Sequence, residues 1–211
     1  VDTLAELTST VNEVVADAIQ VITDYATEVA NAPAPTLDTY KDANIANVDS
    51  NEDVATINSY LNADNVDPST ATEVANIVSA ANKVEALATD DNATPVTKEE
   101  YTTLGMPVDT DEKANLLNDV IKAKESADVD SFTELKTLAD AANLVQEAAE
   151  GINVDDTQLL NALTTLGVEG VDANNIAEIE AKLNNANPNT VDTLAELTST
   201  VNEVVADALQ V

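Results

Sequence analysis

The chain has 211 residues, of which 44% are hydrophobic and only five are aromatic, so a globular core must be built from Ala, Val, Leu and Ile. Forty acidic residues against eight lysines give a net charge of −32, which argues against binding nucleic acid or an anionic membrane. The sequence contains no Cys, His or Arg, which excludes disulfides, thiolate nucleophiles and imidazole bases.

The first predicted element is a long helix that starts at Thr3 and runs to about Asn31. Thr3 and Glu6 have the spacing of a capping box, in which each side chain bonds the other's backbone N–H. Since the first proline is Pro33, nothing interrupts the helix before it. We assign residues 1–35 as a lead-in long helix. Its apolar residues recur every three or four positions and form one stripe: Leu4, Leu7, Val11, Val14, Ala18, Val21 and Tyr25.

A Val-Asp pair before the long helix recurs along the chain. The four pairs begin at Val1, Val66, Val129 and Val191, at spacings of 65, 63 and 62 residues. Recurrence at a nearly constant period is typical of repeat proteins. Each later pair also precedes a capping-box pattern, formed by Thr70 with Glu73, Ser131 with Glu134, and Thr193 with Glu196. The second and third long helices are predicted to end near Thr89 and Gly151.

A short helix and a middle helix separate successive long helices. Segments 39–45, 100–106 and 162–168 align, with Asn44, Gly105 and Gly167 at one position, which predicts a left-handed helix C-terminus there. The middle helices are predicted to begin at Ser50, at Asp109 or Thr110, and at Asp172. Their expected core residues are Val54, Ile57, Leu61, Leu117, Val120, Ile121, Ile176, Ile179 and Leu183.

These patterns predict an all-α fold of tandem three-helix bundles forming an elongated rod. The repeat of roughly 62 residues is long enough for three helices joined by short loops, as in antiparallel bundles. The pattern leaves two groupings open. The helices of one bundle are either long, short and middle within a Val-Asp unit, or short, middle and long across the next Val-Asp pair.

The order of short helix, Gly turn, middle helix, Val and long helix in residues 163–201 resembles the GA (albumin-binding) module of bacterial surface proteins. It is also similar to GA-like repeats found in tandem in very large bacterial adhesins, and segments 101–142 and 40–81 share it more loosely. The resemblance implies three-helix bundles on an extracellular protein at the bacterial cell surface. It favours the second grouping, with bundles at 36–90, 91–151 and 152–211. It does not carry albumin binding over, because no binding-surface residue can be matched.

Several acidic segments invite comparison with calcium sites. Asp49, Asn51 and Asp53 are spaced like the start of an EF-hand loop, but Val54 stands where the loop needs Gly and Leu61 where it needs Glu. Segments 90–100, 108–112 and 154–158 are also acidic. Acids in the first turn of a helix stabilise it without a metal. We therefore predict no catalytic, cofactor-binding or metal-binding residues and no enzyme activity, with weak nonspecific calcium association as the remaining possibility.

Two further features have both a structural and a functional interpretation. Tyr40 and Tyr101 occupy equivalent positions, where the third repeat has Leu163. An apolar replacement favours core packing over ligand stacking. The Ala-rich stripe at 138–150 is either a seam between packed helices or a partner-binding face, and its composition favours the seam.

The two ends of the chain are nearly the same sequence. Residues 1–21 and 191–211 agree at 20 of 21 positions, including Ser9 and Glu13, which a core does not constrain. We infer that a block of three units, 190 residues long, was itself duplicated, so that the chain is a piece of a longer array. An engineered copy of the end helix is the alternative.

The sequence therefore predicts a spacer, that is a stalk or extender, in a large repetitive adhesin that is secreted or on the bacterial cell surface. Its expected partners are neighbouring repeats of the same chain, and we expect a monomer without membrane insertion, since no apolar run approaches the length of a membrane span. The alternative is a GA-like protein-binding module whose ligand is a host or surface protein.

Overall fold

The computed structural model describes residues 3–64 and 66–208, and regular structure in these ranges is entirely helical. This confirms the predicted all-α class. The described helices are α1 (Leu4–Ala26), α2 (Leu37–Asp42), α3 (Asn51–Leu61), α4 (Ala71–Thr89), α5 (Lys98–Thr103), α6 (Asp111–Lys122), α7 (Phe132–Ala149), α8 (Asp156–Thr165), α9 (Ile176–Asn184) and α10 (Leu194–Ala208). Short 3₁₀ turns at Ser126–Asp128 and Pro188–Thr190 precede α7 and α10.

The chain divides into two compact units. Unit 1 comprises Val1–Lys83 and Thr103–Gly105, and unit 2 comprises Val84–Thr102 and Met106–Val211, so the division falls within α4. In unit 1, α1 packs on α2. In unit 2, α7 packs on α6 and also on α8 and α9, while α10 packs on α9 and α6. The division into bundles at 36–90, 91–151 and 152–211 stays a prediction.

The predicted caps of the four long helices are confirmed. The hydroxyls of Thr3, Thr70, Ser131 and Thr193 each accept a hydrogen bond from the backbone N–H of the Glu three residues later, at 3.2 to 3.4 Å. Each bond satisfies one of the N–H groups that a helix start leaves without an intrahelical partner.

The middle helices keep two of their three predicted starts. Ser50 caps α3, and Thr110 rather than Asp109 caps α6. The prediction that Asp172 starts the third middle helix is wrong, because α9 begins at Ile176. The Asp172 carboxylate instead accepts hydrogen bonds from the N–H groups of Asn174 and Asn175, which stabilises a separate turn before the helix.

The predicted end of the first long helix is also wrong. α1 stops at Ala26, so it is about 35 Å long rather than extending to Asn31. Glu28 adopts a left-handed φ of 52° just after the helix. The N–H of Glu28 donates to the Tyr25 carbonyl and the N–H of Val29 to the Asp24 carbonyl, which is the Schellman pattern. Glu28 thus adopts the left-handed conformation that usually requires glycine at a helix C-terminus, so the sequence does not indicate that the helix ends here.

The predicted left-handed stops of the short helices are confirmed. The φ values of Asn44, Gly105 and Gly167 are 55°, 76° and 84°. In each case the next residue is apolar and buried, and its N–H donates to the carbonyl five residues earlier. Those carbonyls belong to Tyr40, Tyr101 and Leu163. Each stop therefore turns the chain towards the next middle helix in the same way.

The predicted core positions of the middle helices are all buried. Each middle helix also carries one polar side chain that holds the loop before the short helix. The Asn58 amide donates to the Pro35 carbonyl at 2.9 Å, and the Glu180 carboxylate accepts from the Val154 N–H at 3.2 Å. This polar clamp fixes where each short helix begins.

The clamp is most complete in unit 2. The Asn118 amide donates to the Val96 carbonyl at 2.9 Å, and its oxygen accepts from the Val96 N–H at 3.2 Å and from the Tyr101 hydroxyl at 2.8 Å. In unit 1 the Tyr40 hydroxyl donates to Asn58 at 2.6 Å in the same manner. Buried polar groups require such partners, because an unmet hydrogen bond costs about 1–3 kcal/mol.

Candidate interaction surface

The first half of α1 carries four apolar side chains that no other helix covers in the described residues. Leu4, Leu7, Val11 and Val14, here named the α1 stripe, are 81%, 50%, 52% and 44% exposed. Their spacing of three and four residues places them on one helix face. The second half of the same helix is different, because Ala18, Ile22 and Ala26 are buried. α1 therefore packs through its C-terminal half only.

The same sequence is buried where it recurs. Leu197, Val201 and Val204 of α10 correspond to Leu7, Val11 and Val14 of α1, and they are at most 4% exposed. The residues are identical, so the difference arises from the surroundings. α10 has α9 and α6 packed against it.

The equivalent positions of the other two long helices are buried as well. When the helices are aligned at their capping residues, these positions hold Val74, Val78 and Ala81 in α4 and Leu135, Ala139 and Ala142 in α7. None of them is more than 2% exposed. The stripe is therefore a core position in three copies and a surface in the first.

The α1 stripe borders a groove of about 840 Å³ within unit 1. The groove lies between the first half of α1, the turn after α2 and the start of α4. Its lining residues are Thr10, Val11, Val14, Val15, Lys41, Asp42, Ala43, Asn44, Ile45, Ala71, Thr72 and Ala75. Its walls are made mainly of small and apolar side chains with one lysine and one aspartate, which suits an apolar helix better than a charged ligand.

Side chains of the acidic segments accept hydrogen bonds from backbone N–H groups at helix starts. The Asp53 carboxylate accepts from the N–H groups of Asp49 and Ser50 at 2.7 and 3.0 Å. Partial burial acts to raise the pKa of Asp53, but the hydrogen bonds to its carboxylate outweigh burial and hold the pKa below its usual range. The cap therefore stabilises α3 at neutral pH and is lost as the pH falls through that lowered pKa.

The other acidic segments contain similar helix-end bonds. Asp109 forms an ion pair with the largely buried Lys113 at 2.7 Å, and Asp155 caps α8. Within the part of the chain that the structure describes, no group of three or more acidic side chains is arranged to hold a metal ion. The prediction that calcium associates only weakly and nonspecifically stays a prediction.

We expect calcium and sodium chloride to stabilise the chain equally at matched ionic strength. Screening a net charge of −32 reduces self-repulsion whichever cation supplies it. Thermal unfolding followed by circular dichroism, together with the hydrodynamic radius, measures this. A larger rise in Tm with calcium, removed by Asp53→Asn, would reveal a specific site at the start of α3.

The remaining sequence candidates belong to the core. Tyr40 and Tyr101 are fully buried, and Leu163 is buried at the equivalent position of the third repeat. Burial raises the pKa of Tyr40, with a further contribution from Tyr25. The Ala-rich stripe at 138–150 is a helix seam, since most of it is buried and α7 packs on α6, α8 and α9.

The sequence analysis identified α1 as a helix that leads into the first repeat, but it did not predict that the α1 stripe is exposed. The near-identity of residues 1–21 and 191–211 indicates two copies of one helix, but it does not indicate which copy is covered. No helix within the described ranges has both the length and the apolar character needed to cross a membrane.

Comparison of the chain with protein-family models, with curated proteins and with solved structures gave no match. The resemblance of residues 163–201 to GA modules therefore stays a prediction. Function must be argued from the packing of the helices and from the α1 stripe.

Proposed function

We propose that the chain is a structural spacer, a segment of tandem helical repeats that extends a large repetitive bacterial surface or secreted adhesin. The observation that carries this proposal is the packing of α7, which contacts α6 before it in the chain and α8 and α9 after it. Successive helix sets thus share a long helix instead of being joined by a flexible linker. Such sharing restricts bending between repeats and suits an elongated rod.

The charge and the composition support the same role. A net charge of −32 keeps repeated segments soluble and opposes their lateral association. The caps, left-handed stops and polar clamps recur from repeat to repeat, as packing requirements alone demand. The spacer therefore needs no ligand other than its neighbouring repeats, and we propose that it is monomeric and extracellular.

Small-angle X-ray scattering of the full chain tests the spacer. We expect a pair-distance distribution with the long tail of an elongated particle, because a long helix that two helix sets share, as α7 is shared, would hold those sets in line. The measurement is made at low and at high salt, so that extension by charge repulsion is separated from extension by packing. A compact particle at both salt concentrations would contradict the proposal.

The alternative function is a GA-like protein-binding module. Its support is the exposed α1 stripe, since apolar surface of this kind marks interaction sites. A module repeated in tandem should present its binding face on each repeat, whereas the equivalent residues of α4, α7 and α10 are buried. This difference favours the spacer. Saturable binding of a serum protein that Leu7→Asp abolishes would favour the module instead.

A further inference from the structure

We infer that the α1 stripe is the seat for a second copy of the α8–α9 helix pair, joined to α1 as the first copy is joined to α10. The inference rests on the proposed tandem-repeat function, and it adds the identity of the partner. The occupant is a segment with the sequence of residues 152–190, and the seat is the first half of α1.

The argument starts from two identical surfaces in different surroundings. Leu7, Val11 and Val14 are about half exposed, and the same residues at 197, 201 and 204 are almost completely buried. Burying these side chains is favourable, because it removes apolar surface from water. A surface that α9 buries on α10, with α6 also packed against that helix, is expected to accept α9 again where the same sequence recurs.

The contacts of α10 define the core of the partner: α10 packs on α9 and on α6, and α8 packs on α9. α9 packs against α10 and presents the buried residues Ile176, Ile179 and Leu183. Lys182 of α9 forms an ion pair with Glu203 of α10 at 2.7 Å. Gly170, in the turn before α9, lies beside Val205, and an added Cβ would be in ordinary van der Waals contact with the Val205 side chain at 3.4 Å.

Each of these contact points exists on α1. Glu13 corresponds to Glu203 and Val15 to Val205, and the side chain of Glu13 is exposed. A second Lys182 would therefore meet Glu13, which favours this register on a chain with many acids and few lysines. Apolar packing alone does not require this lysine or this glutamate. An ion pair between a second Lys182 and Glu13 would therefore identify the register in which the added helix lies on α1.

The other long helices support the same assignment. α7 packs on α6, as α10 packs on α9, and the equivalent stripe positions of both long helices are buried. In both cases the middle helix that precedes the long helix in the chain packs against it. The helix pair on α1 is therefore expected to precede α1 in sequence, and an unrelated amphipathic helix is the competing occupant.

The test joins a second copy of residues 152–190 directly ahead of Val1 in the full chain. This connection reproduces the natural junction between Thr190 and Val191. Hydrogen exchange of the α1 amides from Leu4 to Val15 and limited proteolysis of the added segment are measured. We expect slower exchange in α1 by roughly tenfold or more, which corresponds to about 1.4 kcal/mol, and resistance of the added segment to proteolysis.

Two controls make the result specific. The first is the same extended chain with Leu7→Asp and Val11→Asp, which should lose both the slower exchange and the resistance. These positions are exposed in the chain without the extension, so the double variant is expected to fold there, as circular dichroism can verify. The second control is an added segment of the same composition in scrambled order, which should protect nothing.

Rapid cleavage of the added segment with unchanged exchange in α1 would overturn the inference. Equal protection by the scrambled segment would also overturn it, because the stripe would then accept any apolar chain. Neither outcome depends on the shape of the chain without the extension. The scattering experiment on that chain therefore tests the spacer separately from the partner.

Discussion

Leu197→Ala is expected to destabilise the helices around α10 by about 3 kcal/mol, whereas Leu7→Ala should change stability by less than about 0.5 kcal/mol. The two leucines have the same neighbours in sequence, but Leu197 is fully buried and Leu7 is 50% exposed. Removing the buried side chain loses its apolar contacts and leaves a cavity. Hydrogen exchange in the 176–204 region and in α1 measures each effect locally, since the chain has two units.

The two variants control for each other. Leu7 and Leu197 have the same neighbours in sequence, so the change in helix propensity is the same for both. A comparable loss at both positions would mean that the α1 stripe is already covered in solution, for example by self-association. Repeating the measurement over a range of chain concentrations identifies that case, since association would make the cost of Leu7→Ala depend on concentration.

Asn118→Ala is expected to destabilise unit 2 by roughly 3 kcal/mol. The Asn118 side chain is 5% exposed and bonds both the N–H and the carbonyl of Val96 as well as the Tyr101 hydroxyl. Removing the side chain leaves the Val96 N–H and carbonyl without this hydrogen-bond partner. Water has little access to replace it there. The loop before α5 should also loosen, which faster exchange of the Val96 amide would report.

Glu180→Ala is the matched control for the clamp. Glu180 holds the equivalent loop through one partly buried hydrogen bond to Val154, so its loss should cost about 1 kcal/mol or less. A double-mutant cycle of Asn118→Ala with Tyr101→Phe isolates the bond between these side chains. If Asn118→Ala costs no more than Glu180→Ala, the loop is held by apolar packing of Val96 instead.

Much of the fold could be predicted because its local signals repeat. The hydroxyl and glutamate pairs at Thr3 and Ser131 recur because a helix start needs N–H acceptors. Asn44 and Gly167 occupy one position because a left-handed backbone tolerates few other residues. Each of these signals involves only residues close together in the chain, so the sequence pattern is enough to predict it.

The errors occurred where a stop or a start has no distinctive residue. Glu28 ends α1 in a conformation usually given to glycine, and nothing in its composition indicates this. Asp172 looks like a helix cap, but its carboxylate is taken by the turn at Asn174. An aspartate that accepts hydrogen bonds from nearby backbone N–H groups is typical of a helix cap and of a separate turn, so the pattern does not distinguish the two.

The candidate surface was out of reach for a different reason. The apolar spacing of Leu7 and Val11 is that of a core helix, and it predicts burial equally well for α1 and α10. Only the packing of the helices shows which copy has a covering helix. The polar clamp was missed because Asn118 and Val96 are 22 residues apart in the chain, so their bond has no local signature.

The double role of α7 has a mechanical consequence. A helix that packs on α6 with one part and on α8 and α9 with another cannot leave one set of neighbours without disturbing the other. Under a stretching force, the helices of unit 2 should therefore yield together in one large step. A stalk built in this way would resist small loads stiffly and absorb a large one by sudden extension.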